Sequence, residues 1–275
     1  LSSGSVAHEE YPAPTLVKEL IEFSLGRNWY GYSDSLGRRE TRASLAYLEN
    51  SLNRDFNYTS DNIVVSMGGT AALGSIISFL ASESSRGEVL VATPNYPPLV
   101  KAIANNFEIK LIELDWEGSL SLAPLISGVQ NQTRAVFLQT VINPTGKKVP
   151  ESELEQLILS VPKDVIVILD ECHECISTVG QPPSRARSSE NVIRIKSLSK
   201  SLSIPGLKIG WFVAAQEFNS RYYEWASTTF GGPPSIYSLM LAVLGRFEGW
   251  RNEGKEALRK PDLAVLSKHY AFTED

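Results

Sequence analysis

Cysteine is nearly absent from this 275-residue chain: there are two, Cys172 and Cys175, both inside Asp170-Glu171-Cys172-His173-Glu174-Cys175. That count excludes a disulfide framework and makes a reducing compartment, the cytoplasm, the default expectation. Histidine is almost as scarce, with His8 and His269 far from His173 in sequence. A single CxxC without a second Cys/His pair is a poor zinc site, so no metal is expected. No apolar run approaches the roughly 18 residues that a membrane span needs. An excess of positive charge is also missing: 26 Lys and Arg against 31 Asp and Glu give a formal charge of −5. Nucleic acid and anionic membranes are therefore not expected as main partners. Internal repeats, low-complexity blocks and long linkers are lacking too. The first residue is Leu1 and no basic segment precedes an apolar stretch, which reads as a trimmed start rather than a signal peptide.

What is present is the composition of a globular protein, 43% hydrophobic and 21% charged. Short apolar runs alternate with amphipathic stretches, the pattern of βαβ units and a mostly parallel sheet. Strands are expected at 63–65, 89–92, 109–113, 135–138, 165–169, 192–195 and 208–213. Several are nearly continuous Val/Ile/Leu runs, as strands covered on both faces should be. Helices are expected at 15–24, 38–53, 70–82, 96–106, 151–159, 216–228 and 235–250. In the second of these Ala43, Ala46, Tyr47, Leu48 and Leu52 fall largely on one face. The fold class is α/β, a three-layer α/β/α arrangement around a mostly parallel central sheet. Residues 1–24 read as an N-terminal arm, 25–250 as the main domain, and 251–275 as a linker helix and the start of a further small domain cut short.

Ligands of such sheets sit at the carboxyl ends of the strands, so those ends hold the candidates. After 63–65 comes Ser66-Met67-Gly68-Gly69-Thr70, a glycine turn opening a helix, which suits an anion. After 89–92 comes Thr93-Pro94-Asn95-Tyr96, where an aromatic ring either covers a flat ligand or simply packs. After 135–138 comes Asn143-Pro144-Thr145-Gly146, by itself a good turn. Asp170 ends the strand at 165–169, and a carboxylate buried there demands a cationic partner. Ser197-Leu198-Ser199-Lys200 follows the strand at 192–195, with Pro205 to Trp211 just beyond. Cys172 and Cys175 read most simply as small residues after a buried strand.

Taken in order, these strings resemble the class I/II aminotransferase family of fold-type I, pyridoxal-phosphate enzymes of the aspartate aminotransferase type. SLSKSLSIPGLKIGW matches the family signature S-x-S-K-x-x-x-x-P-G-x-R-x-G-W at every fixed position but one. NPTG and the Asp-Glu pair precede it in the family's order. Tyr32, Gly37 and Arg42 resemble its N-terminal Y-x-x-x-x-G-x-x-x-x-R segment, so the likeness runs from about Leu1 to about residue 250.

The resemblance implies pyridoxal 5′-phosphate as cofactor and residue roles that follow from its chemistry. Lys200 would carry the cofactor as a Schiff base and then act as acid and base at the substrate's α-carbon. Asp170 would pair with the protonated ring nitrogen, Asn143 would bond the 3-oxygen, and Tyr96 would stack on the ring. Gly69, Thr70, Ser197 and Lys208 would hold the phosphate. Tyr32 would reach the phosphate of a partner subunit, making the active unit a homodimer. Lys208 stands where the family usually has arginine, so a two-pronged contact becomes a point charge. His173 stands where many relatives have a tyrosine to the 3-oxygen, and a histidine satisfied by local backbone is an equal reading.

The arginine that clamps the substrate carboxylate in this family has no counterpart between Trp250 and Asp275, and neither Arg251 nor Arg259 suits that role. Truncation of the chain is the favoured explanation. The activity implied is transfer of an amino group between an amino acid and a 2-oxo acid. Lyase, synthase, decarboxylase or cyclase chemistry on the same fold is the alternative, and a non-catalytic module is the reading from another class.

Overall fold

The computed structural model describes residues 10, 12–13, 15–26, 31–84, 87–115, 119–174 and 182–252. His8, Cys175, Arg259, His269 and the expected small-domain segment beyond Asn252 lie outside the described residues.

Seven strands form one sheet: β1 (Ile63–Ser66), β2 (Glu88–Thr93), β3 (Glu108–Glu113), β4 (Thr133–Gln139), β5 (Ile166–Asp170), β6 (Val192–Lys196) and β7 (Gly210–Val213). Their spatial order is β1-β7-β6-β5-β4-β2-β3. β3, β2, β4, β5 and β6 run parallel, while β7 is antiparallel to both β6 and β1. Each expected strand is present: β1, β2, β3, β4 and β6 are longer by one to three residues and β5 is shifted by one, whereas β7 starts at Gly210 rather than 208, because Pro205–Leu207 form a 3-10 turn and Lys208 takes a left-handed conformation. The helices are α1 (Thr15–Leu25), α2 (Arg39–Leu52), α3 (Gly69–Glu83), α4 (Pro97–Ala104), α5 (Ala123–Gly128), α6 (Glu151–Ser160), α7 (Gln216–Thr229) and α8 (Ser235–Asn252). α5 was not foreseen, because six residues opened by Pro124 hold too little periodicity to read.

The apolar side chains divide the molecule into three layers. On one face α3, α4 and α7 pack Ile76, Ile77, Phe79, Ile103, Phe218 and Tyr222 onto Val89, Phe137, Ile168, Ile193 and Phe212. On the other face α2 and α8 cover Ile63, Val65, Trp211 and Val213. Beside them α5 and α6 cover Leu90, Val136, Val167 and Leu169. A sheet buried on both sides needs strands that are apolar at every position, which is what the Val/Ile runs supply.

The stripe expected on α2 needs correction. Ala43 is exposed, and the buried face instead includes Thr41, Arg42, Ser44, Leu45 and Glu49. The reason is polar packing: Thr41 Oγ1 donates to Ser238 O at 2.9 Å, and Ser44 donates to Ala242 O on α8. The first helix packs on α8 as well. No described helix is long and apolar enough to cross a membrane.

Because β7 is antiparallel, its first residue lies at the same edge as the last residues of its neighbours: Ser66 pairs with Gly210, and Lys196 with Trp211. Topology therefore gathers the ends of β1, β2, β4, β5 and β6 and the start of β7 on one rim.

Candidate active site

The anion cradle forms where β1 turns into α3. Gly68 adopts φ +85°, a conformation costly for any residue with a Cβ, and its carbonyl accepts the first helical bond from Ala72 N at 3.0 Å. Gly69 has no room for a side chain: a Cβ there would stand 2.5 Å from Cys172 Sγ. These two glycines let the turn settle onto the end of β5 while its N–H groups and those of Thr70 open the helix toward solvent. Thr70 is exposed and Cys172 is buried.

The turn after β6 carries the lysine. Ser197 is buried, its hydroxyl 2.7 Å from Ser199 Oγ and donating to Ile209 O at 2.8 Å, while it accepts Ser199 N–H at 3.1 Å. Those bonds tie the start of the turn to the return strand and fix the direction in which Lys200 leaves it. Lys200 is half-buried, and burial pulls its ammonium below the ordinary lysine pKa. Lys208 reinforces that fall, and Cys172 and Asp170 oppose it. Lys208, in the left-handed region at φ +52°, is exposed and its backbone lies against Gly68.

Asp170 is only 7% exposed. Among the described residues no lysine or arginine lies within ion-pair distance of it, so the cationic partner expected for Asp170 is not found among them. Its carboxylate instead accepts two neutral donors, Gln139 Nε2 at 3.1 Å and Cys172 N at 3.1 Å. Asn143 is buried at the start of the NPTG turn and its N–H faces Gln139 Oε1 at 3.4 Å. The Thr93–Pro94 and Asn143–Pro144 peptides are both cis. Tyr96 caps α4 and packs half-buried against the core beneath that helix. His173 is half-buried, yet Nδ1 and Nε2 are each sealed from solvent and hydrogen-bonded by no described protein group. Burial pulls its pKa below the ordinary value and Lys200 adds to the fall, against the pull of Asp170. The structure thus brings Gly69, Thr70, Asn143, Asp170, His173, Ser197, Lys200, Lys208 and Tyr96 to one rim. Tyr32 stands apart from them, fully exposed to solvent.

The sequence reading missed the layer beneath. Glu171 turns to the opposite face from Asp170 and is completely buried among three cations. It accepts Arg194 Nε at 2.8 Å and Nη2 at 2.9 Å, Lys196 Nζ at 2.9 Å and Arg187 Nη1 at 2.6 Å. Glu49 lies 3.0 Å from Arg194, and Glu151 and Glu174 bracket Arg187. Those cations hold the Glu171 carboxyl well below its usual range even though burial alone would raise it. The one available signal was charge at alternating positions of β6, Arg194 and Lys196, beside a strand ending in two acids.

The donor set fits pyridoxal 5′-phosphate. A carboxylate whose described partners are neutral donors suits a protonated ring nitrogen. A glycine cradle with hydroxyls and a lysine beside it suits a phosphate, and the buried ring nitrogens of His173 have hydrogen-bonding capacity still to be met. Among the described residues no three His, Cys, Asp or Glu side chains converge as a metal site would require.

Comparison with known proteins agrees with this reading. The aspartate aminotransferase of Sulfolobus acidocaldarius is 24% identical over 243 residues, covering 84% of this chain and 59% of that protein. Histidinol-phosphate aminotransferase 2 of Oceanobacillus iheyensis is 27% identical over 210 residues, covering 71% of this chain and 57% of that protein. A double mutant of the Thermus thermophilus aspartate aminotransferase superposes with a TM-score of 0.78 at 22% identity, over 92% of this chain and 67% of that one. The chain thus spans about three fifths of the length of those two curated relatives. The family described as aminotransferase class I and II matches residues 1–260. With nearly the whole sequence covered by that match, the chain belongs to the class I and II aminotransferases, whose cofactor is pyridoxal 5′-phosphate.

Proposed function

We propose that the protein is an aminotransferase that moves an amino group between an amino acid and a 2-oxo acid, with Lys200 as its catalytic lysine. The observation that carries this reading is the placement of Lys200. It is half-buried with a lowered pKa, on the rim shared by a buried carboxylate that accepts two neutral donors and a glycine turn at a helix start. When bound, pyridoxal phosphate supplies a carbonyl carbon for amines and a ring that takes up the electron pair left at the α-carbon.

The chain's own residues then divide the work. Lys200 would hold the cofactor through Nζ and would carry the proton removed from the substrate's α-carbon. Its lowered pKa increases the fraction of unprotonated amine available for both tasks. Asp170 keeps a proton on the ring nitrogen. Asn143 and His173 would address the 3-oxygen, and Tyr96 would stack on the ring. Gly69 and Thr70 at the start of α3, Ser197 in the turn after β6 and the point charge of Lys208 would hold the phosphate. Tyr32 is solvent-facing in one chain, which suits a side chain reaching the phosphate site of a second copy in a homodimer. Residues 25–250 serve as the cofactor-binding domain, preceded by an arm at 1–24 and followed from 251 by a further segment, in a protein of the cytoplasm.

The test is an absorbance spectrum of the purified full-length protein beside Lys200→Ala. The expected result is a visible band in the wild type that borohydride bleaches and that the variant lacks. Amino acids should then convert the bound cofactor to pyridoxamine phosphate, and 2-oxo acids should reverse it. Lack of colour with added pyridoxal phosphate, or of any pyridoxamine phosphate across a broad panel of amino acids, would overturn the proposal.

A further inference from the structure

From the contacts of one buried amide we infer that Gln139 is a positioning residue that couples Asp170 to Asn143, fixing as one unit the groups that would address the ring nitrogen and the 3-oxygen of the cofactor. The inference rests on the reading of the rim just given. Gln139 ends β4, is 3% exposed, and pairs in register with Asp170 on the neighbouring parallel strand. In-register neighbours send their side chains to the same face, about 5 Å apart. Gln139 Nε2 accordingly donates to Asp170 Oδ2 at 3.1 Å, while Oε1 faces the backbone N–H of Asn143 at 3.4 Å.

The orientation of this amide is determined from both ends. A carboxylate requires a donor and a backbone N–H requires an acceptor, and among side chains of this length only glutamine offers one of each. Glutamate would set one carboxylate against another, and methionine would remove the side-chain donor to Asp170 Oδ2 and the acceptor facing the Asn143 N–H. The adjacent Thr140 clasps the same residue by its backbone, its N–H donating to Asp170 O at 3.0 Å and its hydroxyl at 3.3 Å. The end of β4 thus holds Asp170 by both main chain and side chain, and the side-chain hold alone continues into the NPTG turn.

The test compares Gln139→Glu and Gln139→Met with the wild type in the full-length holoprotein. Three quantities are read: the pH midpoint of the visible cofactor band, the affinity for added pyridoxal phosphate, and the melting temperature. Both variants should raise the midpoint, by about one pH unit for Gln139→Glu, and weaken cofactor binding about tenfold. The order should be glutamate worse than methionine, which a packing role would reverse, since the added carboxylate changes charge and hardly changes volume. If Gln139→Met does not fold, Gln139→Asn, which keeps the amide but cannot span both partners, carries the same measurement. An unchanged midpoint and affinity in variants whose wild-type parent shows the band would overturn this inference and leave the proposed function standing. Absence of the band in the wild type itself would instead overturn the proposed function.

Discussion

Replacing Glu171 by glutamine changes one atom in the densest electrostatic site of the molecule. Oε1 accepts Arg187 and Arg194, and Oε2 accepts Arg194 and Lys196, so four charge-assisted bonds of 2.6–2.9 Å converge on a carboxylate with no exposed surface. In Glu171→Gln the remaining oxygen serves two of those donors, and the new NH2 group faces the other two, donor against donor. Breaking a buried ion pair by neutralising one partner costs about 3–5 kcal/mol, because the charges left behind stay desolvated. Against a total stability of about 5–15 kcal/mol this is a large fraction, and the melting temperature should fall by roughly 6–20 °C.

The pH dependence has a fixed sign. The folded-state pKa of Glu171 is depressed, so its contribution is complete above the unfolded value, about 4.3, and is lost as pH falls toward the folded value. The gap between wild type and variant should therefore be full from pH 5 to 8 and narrow progressively below about pH 4. Denaturant unfolding monitored at several pH values reads both quantities. A gap below about 1 kcal/mol at pH 7, or one that stays constant down to pH 3, would refute the assignment of Glu171 as the charged hub.

Two further outcomes follow from the rim. Gly69→Ala places a Cβ 2.5 Å from Cys172 Sγ and should cost about 1–3 kcal/mol together with cofactor affinity. Adding Cys172→Ala removes the colliding sulfur and should restore most of both, and a double variant no better than Gly69→Ala would show that the clash is not the cause. In the cofactor-free protein, the pH midpoint for reaction of Lys200 with a carbonyl reagent should lie below that of free lysine. Lys208→Gln should move this midpoint up and Asp170→Asn should move it down, since the two charges act on Lys200 in opposite senses; equal or inverted shifts would count against the arrangement.

The strands were legible because a sheet covered on both faces demands apolar residues at every position, and few other structures do. The rim residues Lys200, Asp170, Asn143 and Gly69 were legible because they lie in contiguous strings whose order could be compared with a family. Gln139 was not, although it touches two of them, since its bond to Asp170 is set by strand register across 31 residues of sequence, and nothing in the local string singles out its contact with Asn143 four residues on. Arg194 and Lys196 were missed for a related reason. Two charges at alternating positions of β6 gave no sign of being buried, yet both are, because Glu171, the acid that offsets them, arrives just past the end of β5. Ala43 misled in the opposite direction: an apolar stripe was assigned by residue type where hydroxyl bonds between α2 and α8 decide which face is buried.

The dipeptide Asp170-Glu171 shows why these hidden contacts matter to the visible ones. β5 reads Ile166-Val167-Ile168-Leu169, apolar on both faces, so a slip of one residue against its neighbours would still bury apolar side chains on each side of the sheet. Hydrophobic burial therefore specifies its register weakly, whereas in a one-sided sheet it would specify it strongly. The charges settle what the apolar pattern leaves open. In the observed register Glu171 meets Arg194, Lys196 and Arg187 on one face while Asp170 meets Gln139 and the Cys172 N–H on the other. A slip would turn Asp170 toward the cations and carry the longer Glu171 to the rim, leaving several buried charges mispaired at a cost of several kcal/mol. The buried network beneath the sheet in this way supports the candidate site: it decides which of two adjacent carboxylates is presented on the rim that carries Lys200.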